Sequence, residues 1–164
     1  MESERLTLKP IDESDIDALL VLWNEPDLRR QFWGAEELSR QDVAMLVTES
    51  KALAAEGKGG LHRVSDKGEP DTVVGFGGYW QFEGDELPQI IFGLAPDHWG
   101  MGLATELARL LIAHGLDSLE LPVVRGGTDA ANVSSQRVME KAGMNFVERV
   151  RAGGKDIRYY EARK

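Results

Sequence analysis

The chain has no cysteine among its 164 residues, which excludes disulfides, thiolate nucleophiles and thiolate metal sites. It also lacks any uninterrupted apolar run near the roughly 20 residues that a membrane-spanning helix needs. Its start, Met1-Glu2-Ser3-Glu4-Arg5, is acidic where a secretory signal would be basic, so a cytoplasmic protein is expected. Positive charge is in short supply: 19 Lys and Arg stand against 28 Asp and Glu, a net charge of −9. That balance argues against electrostatically driven binding to nucleic acid or to an anionic membrane. It favours a cationic partner such as a protonated amine, while also serving solubility. Repeats, low-complexity tracts and linkers are missing too, and the length suits a single domain over 1–164 with a core of its own.

What is present alternates between helical and extended patterns. Arg5 to Pro10 reads as a short first strand that stops at proline. Asp12 or Ser14 caps a helix carrying Ile16, Leu19, Leu20 and Trp23, which Asn24-Glu25-Pro26 ends. Leu28 to Trp33 mixes Arg29, Arg30, Phe32 and Trp33 between two helices, either lining an acceptor pocket or pairing surface arginines with packing aromatics. Ser39 and Asp42 form a capping box for a second helix through Val43, Leu46, Val47 and Leu53. The period then changes to two. Leu61 to Ser65, Thr72 to Phe82 and Leu87 to Leu94 read as strands, the last two joined by a turn at Gly84-Asp85-Glu86.

The stretch Pro96-Asp97-His98-Trp99-Gly100-Met101-Gly102-Leu103-Ala104-Thr105-Glu106 follows, a glycine-punctuated turn that opens into an amphipathic helix. Leu103, Leu107, Leu110, Leu111 and His114 share one face of that helix, and Gly115 suits a left-handed cap. Bare backbone beside the unpaired N–H groups of a helix start can hold an anion, although the same pattern also serves as a plain structural turn. A P-loop is excluded because no Lys-Ser or Lys-Thr follows the glycines, and a dinucleotide fingerprint lacks its third glycine here. Leu119 to Gly126 reads as the next strand, and Asp129 to Asn132 as a turn. Asn132 caps a short helix from Val133 to Ala142 that Gly143 terminates, and Phe146 to Val150 and Ile157 to Ala162 close the chain as paired strands around Gly153-Gly154. The order βααβββαβαββ implies a mixed α/β layer with much antiparallel pairing rather than a doubly wound sheet.

Trp99-Gly100-Met101-Gly102-Leu103-Ala104 resembles the [Q/R]-x-x-G-x-[G/A] signature of the Gcn5-related N-acetyltransferase (GNAT) superfamily. Trp99 stands at the signature's Gln or Arg position, as in the RimJ/RimL-type branch, where an aromatic-Trp-Gly version is usual. Asn132-Val133-Ser134-Ser135-Gln136-Arg137-Val138-Met139-Glu140-Lys141-Ala142-Gly143-Met144 resembles that branch's N-x-x-S-x-x-[VL]-x-E-K-x-G-[FM] block. Glu4 to Pro10 and Leu22 to Pro26 are similar to its "ERLxLRP" and "LWNDP" segments, so the resemblance spans almost the whole chain.

The resemblance implies a GNAT fold, α/β (α+β), with a mostly antiparallel sheet splayed at a cofactor cleft and flanked by about four helices. It implies an acetyl-coenzyme A-dependent N-acetyltransferase acting on a primary amine, a protein N-terminus or a small amine, with no metal. Phe92, Leu94, Trp99, Gly100, Met101, Gly102, Leu103, Ala104, Thr105, Asn132 and Ser135 would hold the donor. Phe92 would also offer a backbone N–H to the developing oxyanion, and Ser135 would assist the departing thiolate. Gln89 stands where many relatives carry a Glu base, which leaves Glu83, Asp85 and Glu86 as candidates for the proton acceptor. It also keeps open a second reading, a coenzyme A-binding sensor or interaction domain without turnover. Arg29, Phe32, Trp33 and Trp80 fall in the acceptor region, and dimerisation is common in relatives, so a homodimer is an expectation.

Overall fold

The computed structural model describes residues 1–164 apart from the side chain of Ala152. A seven-stranded sheet runs through it in the order β1-β2-β3-β4-β5-β7-β6. Its strands are β1 (Leu6–Pro10), β2 (Gly60–Asp66), β3 (Gly75–Trp80), β4 (Gln89–Leu94), β5 (Val124–Asp129), β6 (Asn145–Ala152) and β7 (Lys155–Ala162). The helices are α1 (Ile16–Trp23), α2 (Pro26–Phe32), α3 (Arg40–Ala55), α4 (Leu103–Ala113) and α5 (Val133–Ala142). No helix is long and apolar enough to cross a membrane among the described residues.

Every neighbouring pair of strands is antiparallel except β4 and β5, which run parallel and meet in register at Gln89↔Arg125. Parallel neighbours need a crossover, and α4 supplies it. The strand period of two sends alternate β4 residues to opposite faces. Ile90 and Leu94, with Phe92 at the margin, join α4 side chains Leu103, Leu107 and Leu111 in one core. Ile91 packs against the other core, built from Trp23, Leu28, Val47 and Phe76 beneath α1 to α3.

Local signals hold where they rest on caps. Ser39 makes a capping box with Asp42, and Asn132 accepts from the Ser135 N–H, whereas Asp12, in a capping box with Asp15, caps a 3-10 turn, Glu13–Asp15, that leads into α1 rather than α1 itself. The structure corrects the sequence reading in three places. The stretch expected between two helices is itself helix α2, with Pro26 in its first turn and Glu25 as its cap, so five helices flank the sheet rather than about four. Gly115 is no left-handed cap, because the chain continues through a π-helical turn, His114–Ser118, and the left-handed residue is Glu120 at φ 52°. Glycine is required there for closeness: a Cβ would lie 1.9 Å from the hydroxyl of Tyr79, which donates to the Leu111 carbonyl at 2.8 Å. The strand expected over Leu119 to Gly126 is displaced to Val124–Asp129, since Leu119 and Leu121 return N–H bonds to His114 and Gly115 and close that turn.

Candidate active site

The parallel pair creates an asymmetric crevice. β4 and β5 touch at Gln89 and Arg125, and helix starts follow both carboxyl ends, α4 after β4 and α5 after β5. Ligands in open α/β sheets settle outside such carboxyl ends. The inner wall follows from hydrogen-bond phase. Ala95 donates to Val74 at 2.8 Å, and the register Phe76↔Gly93, Gly78↔Ile91 and Trp80↔Gln89 directs those residues' backbone toward β3. Ile90, Phe92 and Leu94 therefore direct their N–H and carbonyl groups toward the β5 side. The Leu94 carbonyl is covered by the Trp99 indole N–H at 2.7 Å, while the Trp99 ring is about half exposed.

At the crevice mouth, Gly102 caps α4 at φ 78°, a left-handed conformation that disfavours a side chain, and no side chain caps the first turn. Those N–H groups thus stand at the positive end of the helix dipole without a partner among the described residues. A Cβ built on Gly100 would meet open space, and one on Gly102 only a guanidinium nitrogen of Arg5 at 3.7 Å. No side chain fills the space beside Gly100, so the N–H groups of the first turn of α4 remain open to an anion. Of the residues expected in the cradle, Leu103 is buried in the core and has only its backbone to offer, whereas Met101, Ala104 and Thr105 remain at least partly exposed.

The sequence reading missed Arg5 and Glu106 as parts of this loop. Arg5 donates to the Met101 carbonyl at 2.9 Å and to Glu106 Oε2 at 2.7 Å, while its backbone N–H and the Ser3 hydroxyl bind Glu106 Oε1 at 2.8 and 2.6 Å. Burial pushes the Glu106 carboxyl up, but the Ser3 and Arg5 hydrogen bonds outweigh it and hold the group below its ordinary value. Glu106 is therefore a charged strut. Asn132 and Ser135, both half-buried, sit at the start of α5, where the Ser135 N–H donates to the Asn132 side-chain oxygen Oδ1 at 3.1 Å.

The opposite face of β4 has different company. Gly93 is roofed by Leu28, Phe32 and Phe76, where a Cβ would come within 2.8–3.2 Å. Trp33 packs on Trp23 at a centroid distance of 5.0 Å, and Phe32 meets Phe76 edge-on at 5.0 Å. Trp80 belongs to the same cluster. Arg29 turns inward, 3.5 Å from Glu37, and its Nε and the Trp33 indole N–H are buried without a partner among the described residues. Arg30 pairs outward with Asp27. The expected acceptor residues Arg29, Phe32, Trp33 and Trp80 are thus gathered on one face. Glu83 and Glu86 lie exposed on the hairpin, while Gln89 is buried and donates through Nε2 to Asp85 Oδ2 at 2.6 Å.

Comparison with known proteins agrees with this architecture. The acetyltransferase (GNAT) domain family matches residues 5–145. The uncharacterized N-acetyltransferase p20 of Bacillus licheniformis is 25% identical over 138 residues, 84% of this chain and 77% of that protein. A GnaT-family acetyltransferase from Bordetella pertussis superposes with a TM-score of 0.85 at 21% identity, covering 98% of this chain and 97% of that one. RimL, the ribosomal L7/L12 α-N-protein acetyltransferase solved with coenzyme A, superposes at 0.81 with 19% identity, covering 98% and 95%. The chain belongs to the acetyltransferase (GNAT) family.

Proposed function

We propose that the protein transfers an acetyl group from acetyl-coenzyme A to a primary amine, a protein N-terminus or a small amine, by direct attack on the thioester. The observation that carries this is the crevice between β4 and β5, with an uncapped helix start at its mouth and bare N–H groups along its wall. The RimL structure with coenzyme A supports the donor. Bound acetyl-coenzyme A supplies an activated acyl carbon and a thiolate leaving group.

The backbones of Met101, Gly102, Ala104 and Thr105 hold the pyrophosphate, as helix starts hold anions. Leu94 N–H and the Phe92 carbonyl pair with the amides of the pantetheine arm as a neighbouring strand would. The Phe92 N–H donates to the oxygen that gains charge during attack, the service that fixed backbone dipoles perform best in a water-poor site. Ser135 donates its hydroxyl proton toward the departing sulfur, and the Asn132 amide fixes the end of the arm. On the acceptor side, Phe32, Trp33 and Trp80 offer an apolar wall. Glu83 and Glu86 add negative field that draws a protonated amine.

A melting curve with acetyl-coenzyme A tests the donor, with a rise of several degrees expected at saturation. Free-thiol release with spermidine and with an alanine-headed hexapeptide tests the transfer. Release that rises with added amine supports it; release indifferent to amine sinks it.

A further inference from the structure

We propose that Asp85 is the general base of the reaction and that Gln89 is the residue that positions it, an inference that rests on the acetyl-transfer reading above. An alkylamine is protonated at neutral pH, so a proton must leave it before nitrogen can attack. The β3–β4 hairpin carries three carboxylates, and the structure separates them. Glu83 and Glu86 are exposed. Asp85 is half-buried and held from two directions: Gln89 Nε2 donates to its Oδ2 at 2.6 Å, and Gln81 Nε2 donates to its backbone carbonyl at 2.5 Å. Among the described residues Oδ2 alone of its carboxylate oxygens is bonded, which leaves Oδ1 to accept a proton.

The anchor sits at the right place. Gln89 is 6% exposed and is the β4 residue in register with β5, so it marks the closed apex of the crevice. A donor held by its phosphates at the mouth and laid along β4 points its acyl end toward that apex. Gln89 also neighbours Trp80 across the ladder, on the acceptor-facing side. The chemistry explains why an amide stands here. A glutamate at 89 would bring a second carboxylate against that of Asp85, and two like charges so close cannot both ionise. The amide instead donates to one oxygen and adds no second charge beside the base. The missing strand carboxylate is thereby replaced by one brought from the hairpin. The other charged groups nearby are Glu83 and Glu86 on the hairpin and Arg125 on β5, which is engaged by Glu148 and Glu161.

The protons balance. The ammonium gives one to Asp85 Oδ1, the nitrogen forms its bond to the acyl carbon as the carbon–sulfur bond breaks, and the nitrogen loses a second proton. One proton ends on the thiolate, and the other passes from Asp85 to water.

The test uses the full chain, acetyl-coenzyme A and the two amines named above, across pH 6 to 10. Asp85→Asn should lower kcat at pH 7 by about 100-fold or more, with the acetyl-coenzyme A thermal shift retained. Its residual rate should climb about tenfold per pH unit as the amine deprotonates itself, and Asp85→Glu should recover part of the rate. Gln89→Leu should cost about tenfold in kcat with the acetyl-coenzyme A thermal shift retained, and added to Asp85→Asn it should cost nothing further, since Gln89 acts only by holding that carboxylate. Asp85→Asn with the parent rate and profile overturns the assignment while leaving acetyl transfer intact. Absence of amine-dependent thiol release in the parent protein overturns the reading beneath it as well.

Discussion

Toward β5, strand β4 presents backbone: the N–H groups of Phe92 and Leu94, a covered carbonyl, and at its mouth a loop whose glycines leave open space. Toward α1 to α3 the same strand meets side chains, an aromatic stack of Trp23, Phe32, Trp33 and Phe76 with an inward arginine. The difference teaches where specificity resides. Under the proposed reaction, backbone groups recognise one donor through geometry that almost any sequence with the right glycines can build. Side chains on the other face can be exchanged without touching that geometry, and the proposal places the acceptor there.

The sharpest way to break this division is Gly102→Glu. It forces a side chain into φ 78° and sets a negative charge at the proposed pyrophosphate cradle. Affinity for acetyl-coenzyme A should fall by about 100-fold or more, and the thermal shift should vanish while the fold persists. A retained shift would move the donor elsewhere.

Next comes pH, which probes the α4 layer away from the cradle. His62 on β2 is pushed down to about 4, chiefly by burial and then by neighbouring His114. An unfolded histidine protonates near 6.5, so between those values the unfolded chain binds the extra proton. Stability is therefore intact above pH 6.5 and declines by about 3 kcal/mol as pH falls to 4. Urea midpoints across that window should show the decline, and His62→Leu should remove this part of it. Equal slopes in both proteins would contradict a neutral buried imidazole.

On the acceptor face, Trp33→Ala should cost about 2 kcal/mol of stability, less than a fully buried tryptophan, because the ring is half-buried. Acetyl-coenzyme A affinity should stay within about twofold while the acceptor KM rises. Loss of donor affinity in that variant would erase the division between the faces. The smallest effect is expected from Ser135→Ala, about a tenfold drop in kcat with donor affinity preserved. Since the Asn132 cap uses the Ser135 backbone N–H, the helix start survives the change. An unchanged kcat would confine Ser135 to the helix.

What could be read in the sequence divides in a related way. Caps at Ser39 and Asn132 are local, since one short side chain answers an N–H three residues on, and the sequence shows them directly, while at Asp12 it leaves Ser14 as an alternative. Helix α2 escaped because Pro26 reads as the end of α1 and serves equally as the first turn of its successor, over a segment too short to show a period. The strand expected over Leu119 to Gly126 stopped three residues short of the end of β5, because Gly126 and Gly127 look unlike the middle of a strand. Ile90 and Tyr159 press against them, with built Cβ positions 3.0 and 2.8 Å away, and that crowding exists only once the sheet is assembled. The glycine turn and the helix start after it were legible because they are contiguous. The bond from Gln89 to Asp85 was not, since it depends on how a hairpin folds back over its own strand.

The tie from Arg5 to Met101 and Glu106 joins residues about a hundred positions apart. Its consequence is kinetic. A loop already locked before ligand arrives has little freedom left to lose on binding, so encounter needs no slow ordering step. The start of the chain thus behaves as a splint for the signature loop, and a substitution at Arg5 would be felt in the speed of capture even though Arg5 need never touch the captured molecule.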